Sequence, residues 1–260
     1  MTQLAQEGDE AYKEKLKEFK RRHKQAVKLL IQDEERLDGV NNALKVSFKE
    51  MSNLLKGVFL VKDVSKRTMD YLLSFGERNS AFILANALTE NGLPAEYLDA
   101  RRVVKTNDEF GAAKVDFAQT TDSIAEYFKK KKAVQVITGF IGSTEEGITT
   151  TLGRGGSDYT CAIFAAALNA KEIEIWTDVD GVMTADPRKV PAAFSIDKMT
   201  YSEAMEMTHF GAKVIHPPTI QPALHKKIPI RIKNTFNPDF KGTLVGEESS
   251  ADDSLSLIHI

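Results

Sequence analysis

Apolar residues recur at helical spacing from the start of the chain. Over residues 9–31, Tyr12, Leu16, Phe19, His23, Val27 and Leu30 fall on one side and Lys, Arg and Glu fill the others, predicting an amphipathic helix. A break at Asp38-Gly39 precedes a second predicted helix over residues 41–55, with Leu44, Phe48, Met51 and Leu55 aligned. Residues 68–73 lead into Ser74-Phe75-Gly76-Glu77-Arg78, and residues 79–88 read as an apolar helix that starts near Gly76-Glu77. Residues 94–99 and 113–117 read as extended pieces. A helix over 123–132 ends in Lys129, Lys130, Lys131 and Lys132, which complement the macrodipole and stay solvated.

The second half alternates. Residues 133–138 (AVQVIT) have a buried-strand pattern and run into Gly139-Phe140-Ile141-Gly142. A glycine-rich stretch and an apolar helix through Leu168 follow, then a strand at 172–176 (EIEIW). A helix at 200–210, a strand at 229–233 and a short return at 241–245 complete the pattern. Strand, loop, helix, strand is the rhythm of α/β proteins, and it predicts a three-layer αβα sandwich with a mainly parallel sheet. Ligands gather at the carboxyl ends of such strands, so the loops at 139–142, at 149–160 and after Trp176 are expected at one edge.

The 260 residues suffice for one α/β domain or two smaller ones, and 42% hydrophobic with 28% charged residues fits a folded soluble protein. A net charge of −2 gives no bulk attraction to nucleic acid or anionic membranes. No apolar run approaches the ~20 residues of a membrane span, and the N-terminus has no signal-peptide core. The lone cysteine, Cys161, forms no internal disulfide, which points to a reducing cytosol, and it reads as a small packed hydrophobe rather than a nucleophile. His23 reads as a helix-face histidine, while His209, His216 and His225 lack metal-ligand spacing.

The densest chemistry lies at 149–160, TTTLGRGGSDYT. Gly153, Gly155 and Gly156 permit positive φ and bare amides, Arg154 supplies a planar fork for a carboxylate or phosphate, and Ser157 or Asp158 is a natural helix N-cap. The same glycines also suit a plain tight connection. Arg154, Asp158, Asp178, Arg188 and Lys213, with Gly139 and Gly142, collect at the inferred edge and suit a ligand with several negative charges. No P-loop or protein-kinase signature is present. If the chemistry is phosphoryl transfer, it must rest on amides, cations and Mg²⁺, with Asp178 or Asp158 able to steer the ion indirectly. Glu77 is equally explained by the dipole of a helix start.

TTTLGRGGSDYT, WTDVDGVMTADPR from Trp176 and FGAKVIHP from Phe210 together resemble the aspartokinases of the amino-acid kinase superfamily. GFIGSTEEG from Gly139 and SFGERNSA from Ser74 match in order and spacing. The helical lead-in is similar to the kinase half of bifunctional aspartokinase–homoserine dehydrogenases. The resemblance implies phosphorylation of the aspartate side-chain carboxylate by MgATP in a cytoplasmic, homo-oligomeric enzyme of lysine, threonine and methionine synthesis. It implies that Arg154 clamps the α-carboxylate with Ser157 and Asp158 beside it, that Glu77 meets the ammonium and that Phe140 walls the pocket. Thr177, Asp178, Met183 and Val214 join the nucleotide set, and Arg188 and Lys213 meet its phosphates. Lys213, Asp158 and Arg154 carry the catalytic roles. Met183 stands where the family commonly has an aromatic residue.

Family members usually begin with a strand carrying KFGGT, then a second ending in a Ser/Thr substrate loop; neither is found here. The expectation is an N-terminally truncated catalytic domain over 1–246, without its first strands and with little kinase activity, and a disordered or non-native tail over 247–260. Another superfamily member acting on glutamate, N-acetylglutamate or a nucleotide, and a binding-only domain, are the alternatives.

Overall fold

A computed structural model describes residues 1–185, 189–209 and 217–248, with 208, 209 and 217–220 described by backbone alone. The chain divides into two compact units, Met1–Gly153 and Arg154–Ile260.

The first unit opens with helices α1 (Thr2–Gln6), α2 (Tyr12–Leu30), α3 (Glu34–Val61) and α4 (Lys66–Glu90). The helix boundaries fall where caps are. The Asp33 carboxylate accepts the Arg36 amide at 2.8 Å to start α3, and Ser65 Oγ accepts the Thr68 amide at 3.1 Å to start α4. The break expected at Asp38-Gly39 is absent, and α3 runs straight through it. One glycine costs a helix about 1 kcal/mol, and Val40, Leu44 and Phe48 bury against Val27, Ile31 and Ile83. Gly76 is likewise interior to α4. A second cluster joins Tyr12 and Leu16 to Met51, Leu55, Val58, Leu72 and Phe75, so the stripe read in α2 is a core face except at its end, where Leu30 is exposed.

Strand β1 (Ala95–Leu98) pairs in parallel with β2 (Val134–Ile137), and β3 (Ile141–Ser143) forms an antiparallel pair with β4 (Thr149–Thr151). This hairpin, not foreseen from the sequence, separates β2 from the glycine-rich loop. Among the described residues β2 pairs only with β1, and Val134 is 45% exposed rather than buried. Helix α5 (Phe117–Phe128) starts earlier than expected because Asp116 caps it, accepting the Gln119 amide at 3.0 Å. The lysine run lies beyond its end; Lys129, Lys130 and Lys132 are exposed as expected, and Lys131 is partly covered. Lys129 pairs with Glu126, and Lys131 pairs with Glu96 and lies 4.9 Å from the Tyr127 ring centroid.

The second unit contains α6 (Gly156–Leu168), β5 (Ile173–Thr177), β6 (Lys198–Thr200), α7 (Tyr201–His209), α8 (Pro217–Lys226), β7 (Ile230–Asn234) and β8 (Thr243–Gly246). Its sheet has the order β5-β7-β8-β6, with β5–β7 and β6–β8 parallel and β7–β8 antiparallel. Ile173, Ile175, Ile230, Ile232 and Val245 form its core with Ala162 and Ala165 of α6. Mixed α/β elements with mostly parallel pairing give the α/β class read from the pattern. Of the tail expected over 247–260, residues 249–260 lie outside the described residues.

Two glycines test these packing arguments in opposite directions. Gly242 has φ +70°, and a Cβ there would lie 1.9 Å from the Ile232 carbonyl oxygen. Gly242→Ala is expected to destabilise by about 2–4 kcal/mol. Gly39 sits in α3 with nothing within 4 Å of an added Cβ. Gly39→Ala is expected to stabilise by about 0.5–1 kcal/mol in urea unfolding.

Candidate functional site

In the first unit, Asp70, Ser74 and Glu77 follow one another at i, i+4 and i+7 along a single stripe of α4. Glu77 is mid-helix, not at a helix start, so the dipole explanation of it fails. Its carboxylate accepts the Gly139 amide at 2.5 Å. The next residue, Phe140, adopts φ 46°, unusual for a bulky side chain, and its carbonyl accepts the Leu152 amide at 2.9 Å. The end of β2, the hairpin and α4 therefore meet at Glu77, and Glu77 and Phe140 are brought together within this unit. Beside Glu77, the Arg78 guanidinium lies 4.5 Å from the Phe75 ring centroid and 5.4 Å from that of Tyr71. Arg101 grips Asp99 through Nη2 at 2.6 Å and donates from Nη1 to Thr149 Oγ1 at 2.8 Å. Burial, and then the Asp99 carboxylate, push the Tyr97 phenol far above its ordinary value, while Arg78 and Arg101 pull the other way.

Asp70 escaped the sequence reading. It is 1% exposed. Its Oδ2 accepts the Gly111 and Thr151 amides, each at 2.9 Å, and its Oδ1 accepts the Thr151 hydroxyl at 2.8 Å. A buried carboxylate needs such donors. The one available signal was its place seven residues before Glu77, two helical turns away on the same face.

In the second unit, neither Ser157 nor Asp158 caps α6. Gly155, at φ 70°, is the N-cap residue, and no side chain caps that helix. Gly153, the last residue of the first unit, is also left-handed at φ +77°. Arg154 is exposed between these two glycines, at a helix N-terminus whose partial positive charge favours an anion. Cys161 is exposed rather than packed, because the buried side of α6 is made by Thr160, Ala162, Ile163, Phe164 and Ala165. Protein around the sulfur, and then the Asp158 carboxylate, push its thiol above the ordinary value.

Thr177 ends β5 and exposed Asp178 follows; Thr177 Oγ1 donates to Asp178 Oδ1 at 3.2 Å. The Thr177 carbonyl accepts the Thr235 amide at 2.8 Å. Asp180, also missed, accepts from the side-chain amides of Asn234 at 2.9 Å and Asn237 at 3.1 Å, so the β7–β8 turn fastens the loop bearing Asp178. Gly181 lies so close to Thr243 that a Cβ would stand 2.5 Å from its hydroxyl oxygen. Met183 is partly buried and bridges to Ser195. Arg188, Lys213 and Val214 lie outside the described residues, as does His216. His23 is structural as expected: its Nδ1 lies 2.8 Å from the Phe19 carbonyl oxygen, and its ring packs on Phe19.

Arg154 is thus held between left-handed glycines at a helix start, and Thr177-Asp178 open a fastened loop at the end of a parallel strand. The chain belongs to the amino acid kinase family, whose model matches residues 9–234. It is 41% identical over 204 residues to lysine-sensitive aspartokinase 3 of Escherichia coli (strain K12), covering 76% of this chain and 45% of that protein. It is 36% identical over 247 residues to a chloroplastic bifunctional aspartokinase/homoserine dehydrogenase 1 of Zea mays, covering 94% of this chain and 27% of that protein. The crystal structure of E. coli aspartokinase III in complex with aspartate and ADP (R-state) is similar with a TM-score of 0.79 and 38% identity, covering 83% of this chain and 48% of that one. The chain thus spans less than half the length of these relatives.

A raised thiol carries less thiolate at neutral pH. Iodoacetamide is therefore expected to alkylate Cys161 more slowly than free cysteine at pH 7.5, with a rate midpoint above the ordinary thiol value. A midpoint below that value contradicts the environment described.

Proposed function

We propose that this chain is the catalytic part of an aspartate kinase. An oxygen of the L-aspartate side-chain carboxylate attacks the γ-phosphorus of MgATP, ADP leaves, and 4-phospho-aspartate forms. Such a product enters the synthesis of lysine, threonine and methionine. One observation supports this above the others: the Arg154 guanidinium stands exposed between positive-φ glycines at the uncapped start of α6. A planar cation there suits the two oxygens of an α-carboxylate. The aspartate and ADP held by the E. coli relative are the ligands this reading requires.

Arg154, with Ser157 and Asp158 beside it, holds the amino acid's α-carboxylate. In the first unit, Glu77 has one oxygen on the Gly139 amide and its other oxygen is assigned to the ammonium, with Phe140 assigned to substrate binding beside it. Thr177, Asp178, Met183 and Val214 bind the nucleotide, and Arg188 and Lys213 neutralise its phosphates. Transfer is mainly positioning and charge neutralisation, so Lys213, Arg154 and Asp158 act without covalent chemistry. Mg²⁺ would enter with the nucleotide and supply charge neutralisation; an ion that keeps several waters would need little protein ligation, and Asp178 or Asp158 would steer it indirectly. The parent enzyme is read as a cytoplasmic homo-oligomer. No helix among the described residues is long and apolar enough to cross a membrane.

The sequence carries no KFGGT stretch, so turnover by this chain is expected to be low, and binding is the primary readout. In calorimetry the chain is expected to bind L-aspartate in preference to L-glutamate and N-acetyl-L-glutamate, and to bind MgATP. Losing a charge-assisted hydrogen-bonding partner costs about 1.5–3 kcal/mol. Arg154→Ala should therefore weaken aspartate binding roughly 10- to 100-fold, with Arg154→Lys intermediate. Tighter binding of glutamate or N-acetylglutamate, or an Arg154→Ala chain that binds aspartate as well as the native one, overturns the assignment.

A further inference from the structure

The buried Asp70 carboxylate and the residues it holds carry an inference that rests on the reading of Arg154 above. We infer that Asp70 is a positioning residue: it sets the strand end from which the chain runs into Arg154, and so sets aspartate affinity without touching aspartate.

All of the Asp70 acceptor capacity used goes to two places. One is the turn before α5, through the Gly111 amide. The other is the last residue of β4, through both the amide and the hydroxyl of Thr151. These two places are also joined directly, because the Ala113 amide donates to the Thr151 carbonyl at 2.8 Å. The turn holds itself in shape: Asn107 Oδ1 accepts the Glu109 amide at 3.3 Å and the Lys114 amide at 2.9 Å. Gly153, two residues beyond Thr151, runs hard by this turn, where a Cβ would sit 3.3 Å from the Gly111 oxygen. The path from Thr151 to Gly153 is therefore confined by a turn that Asp70 ties to α4. Arg154 is the next residue, and Asp70 lies on the same α4 stripe as Glu77.

The donors that meet Asp70 are neutral. Its charge is therefore not what the arrangement needs; its two oxygens are. An asparagine could offer Oδ1 to both amides and turn its Nδ2 toward the Thr151 hydroxyl, which then accepts. An alanine would leave buried amides without acceptors and free the strand end.

The test compares Asp70→Asn, Asp70→Ala and Arg154→Ala with the native chain, reading amide hydrogen exchange and calorimetric affinities for L-aspartate and MgATP. Asp70→Ala is expected to speed exchange at least tenfold at Thr151 and Gly153, leaving the amides of β5 and β7 unchanged. It should weaken aspartate binding at least tenfold and move MgATP affinity by less than twofold; Asp70→Asn should stay within threefold of native in every measurement. A uniform rise in exchange across both units, equal losses for both ligands, or an Asp70→Asn variant as impaired as Asp70→Ala overturns the inference. So does native-like aspartate affinity in Asp70→Ala when Arg154→Ala has lost it. If Arg154→Ala binds aspartate as the native chain does, or the native chain binds none, the assignment of Arg154 fails, and with it the affinity half of the inference. Unchanged exchange at Thr151 in Asp70→Ala defeats the remaining half.

Discussion

A carboxylate taken out of water must be met by donors or it destabilises whatever buries it. Asp70 meets this requirement with two backbone amides and a hydroxyl, drawn from segments 41 and 81 residues further along the chain. That constraint makes α4 more than a scaffold helix. It fastens the strand leading into the glycine-rich loop, and seven residues on the same helix uses Glu77 to fasten the loop after β2. Long-range bonds of this kind order loops that their own composition, rich in glycine and threonine, would leave adaptable.

The second unit solves the corresponding problem with different parts. Its Thr-Asp loop is secured by backbone pairing to Thr235 and by the asparagine amides gathered on Asp180. Glycines stand where close approach demands them, at Gly181 against Thr243 and at Gly242 against Ile232. The polar groups held by these contacts are spent internally. Arg154 and Asp178 remain exposed, one at a helix start and the other at a strand end. This division between fastening residues and presenting residues is what a binding loop on a rigid core requires.

Much of this was legible in the order of residues. The stripe of α2, the apolar strands around β5 and β7 and the α/β alternation follow from periodicity, because burial of one face imposes a period that sequence records directly. TTTLGRGGSDYT and WTDVDG carried the resemblance to the amino acid kinase family, which the comparison of residues 9–234 bears out. Arg154 and Asp178 stand on loops at element ends, and Thr177 is the last residue of β5. The failures share a cause: each asked local composition to settle what distant contacts settle. Gly39 looked like a break and Gly76 like a helix start, yet α3 and α4 carry through them, with Val40 and Phe75 buried beside them. Cys161 looked buried in an apolar run, yet it falls off the face that α6 turns to its core.

The sequence by itself determined the α/β class, most of the longer elements, the family and the residues able to hold anions, since these depend on side-chain chemistry and short-range spacing. Tertiary structure alone decided that Glu77 is mid-helix and bonded to Gly139, that a glycine and not Ser157 or Asp158 begins α6, and that Asp70 and Asp180 bind loops far from them in the chain. The reason is physical: a hydrogen bond between residues 81 apart leaves no periodic trace, and a buried acid reads in sequence like an exposed one.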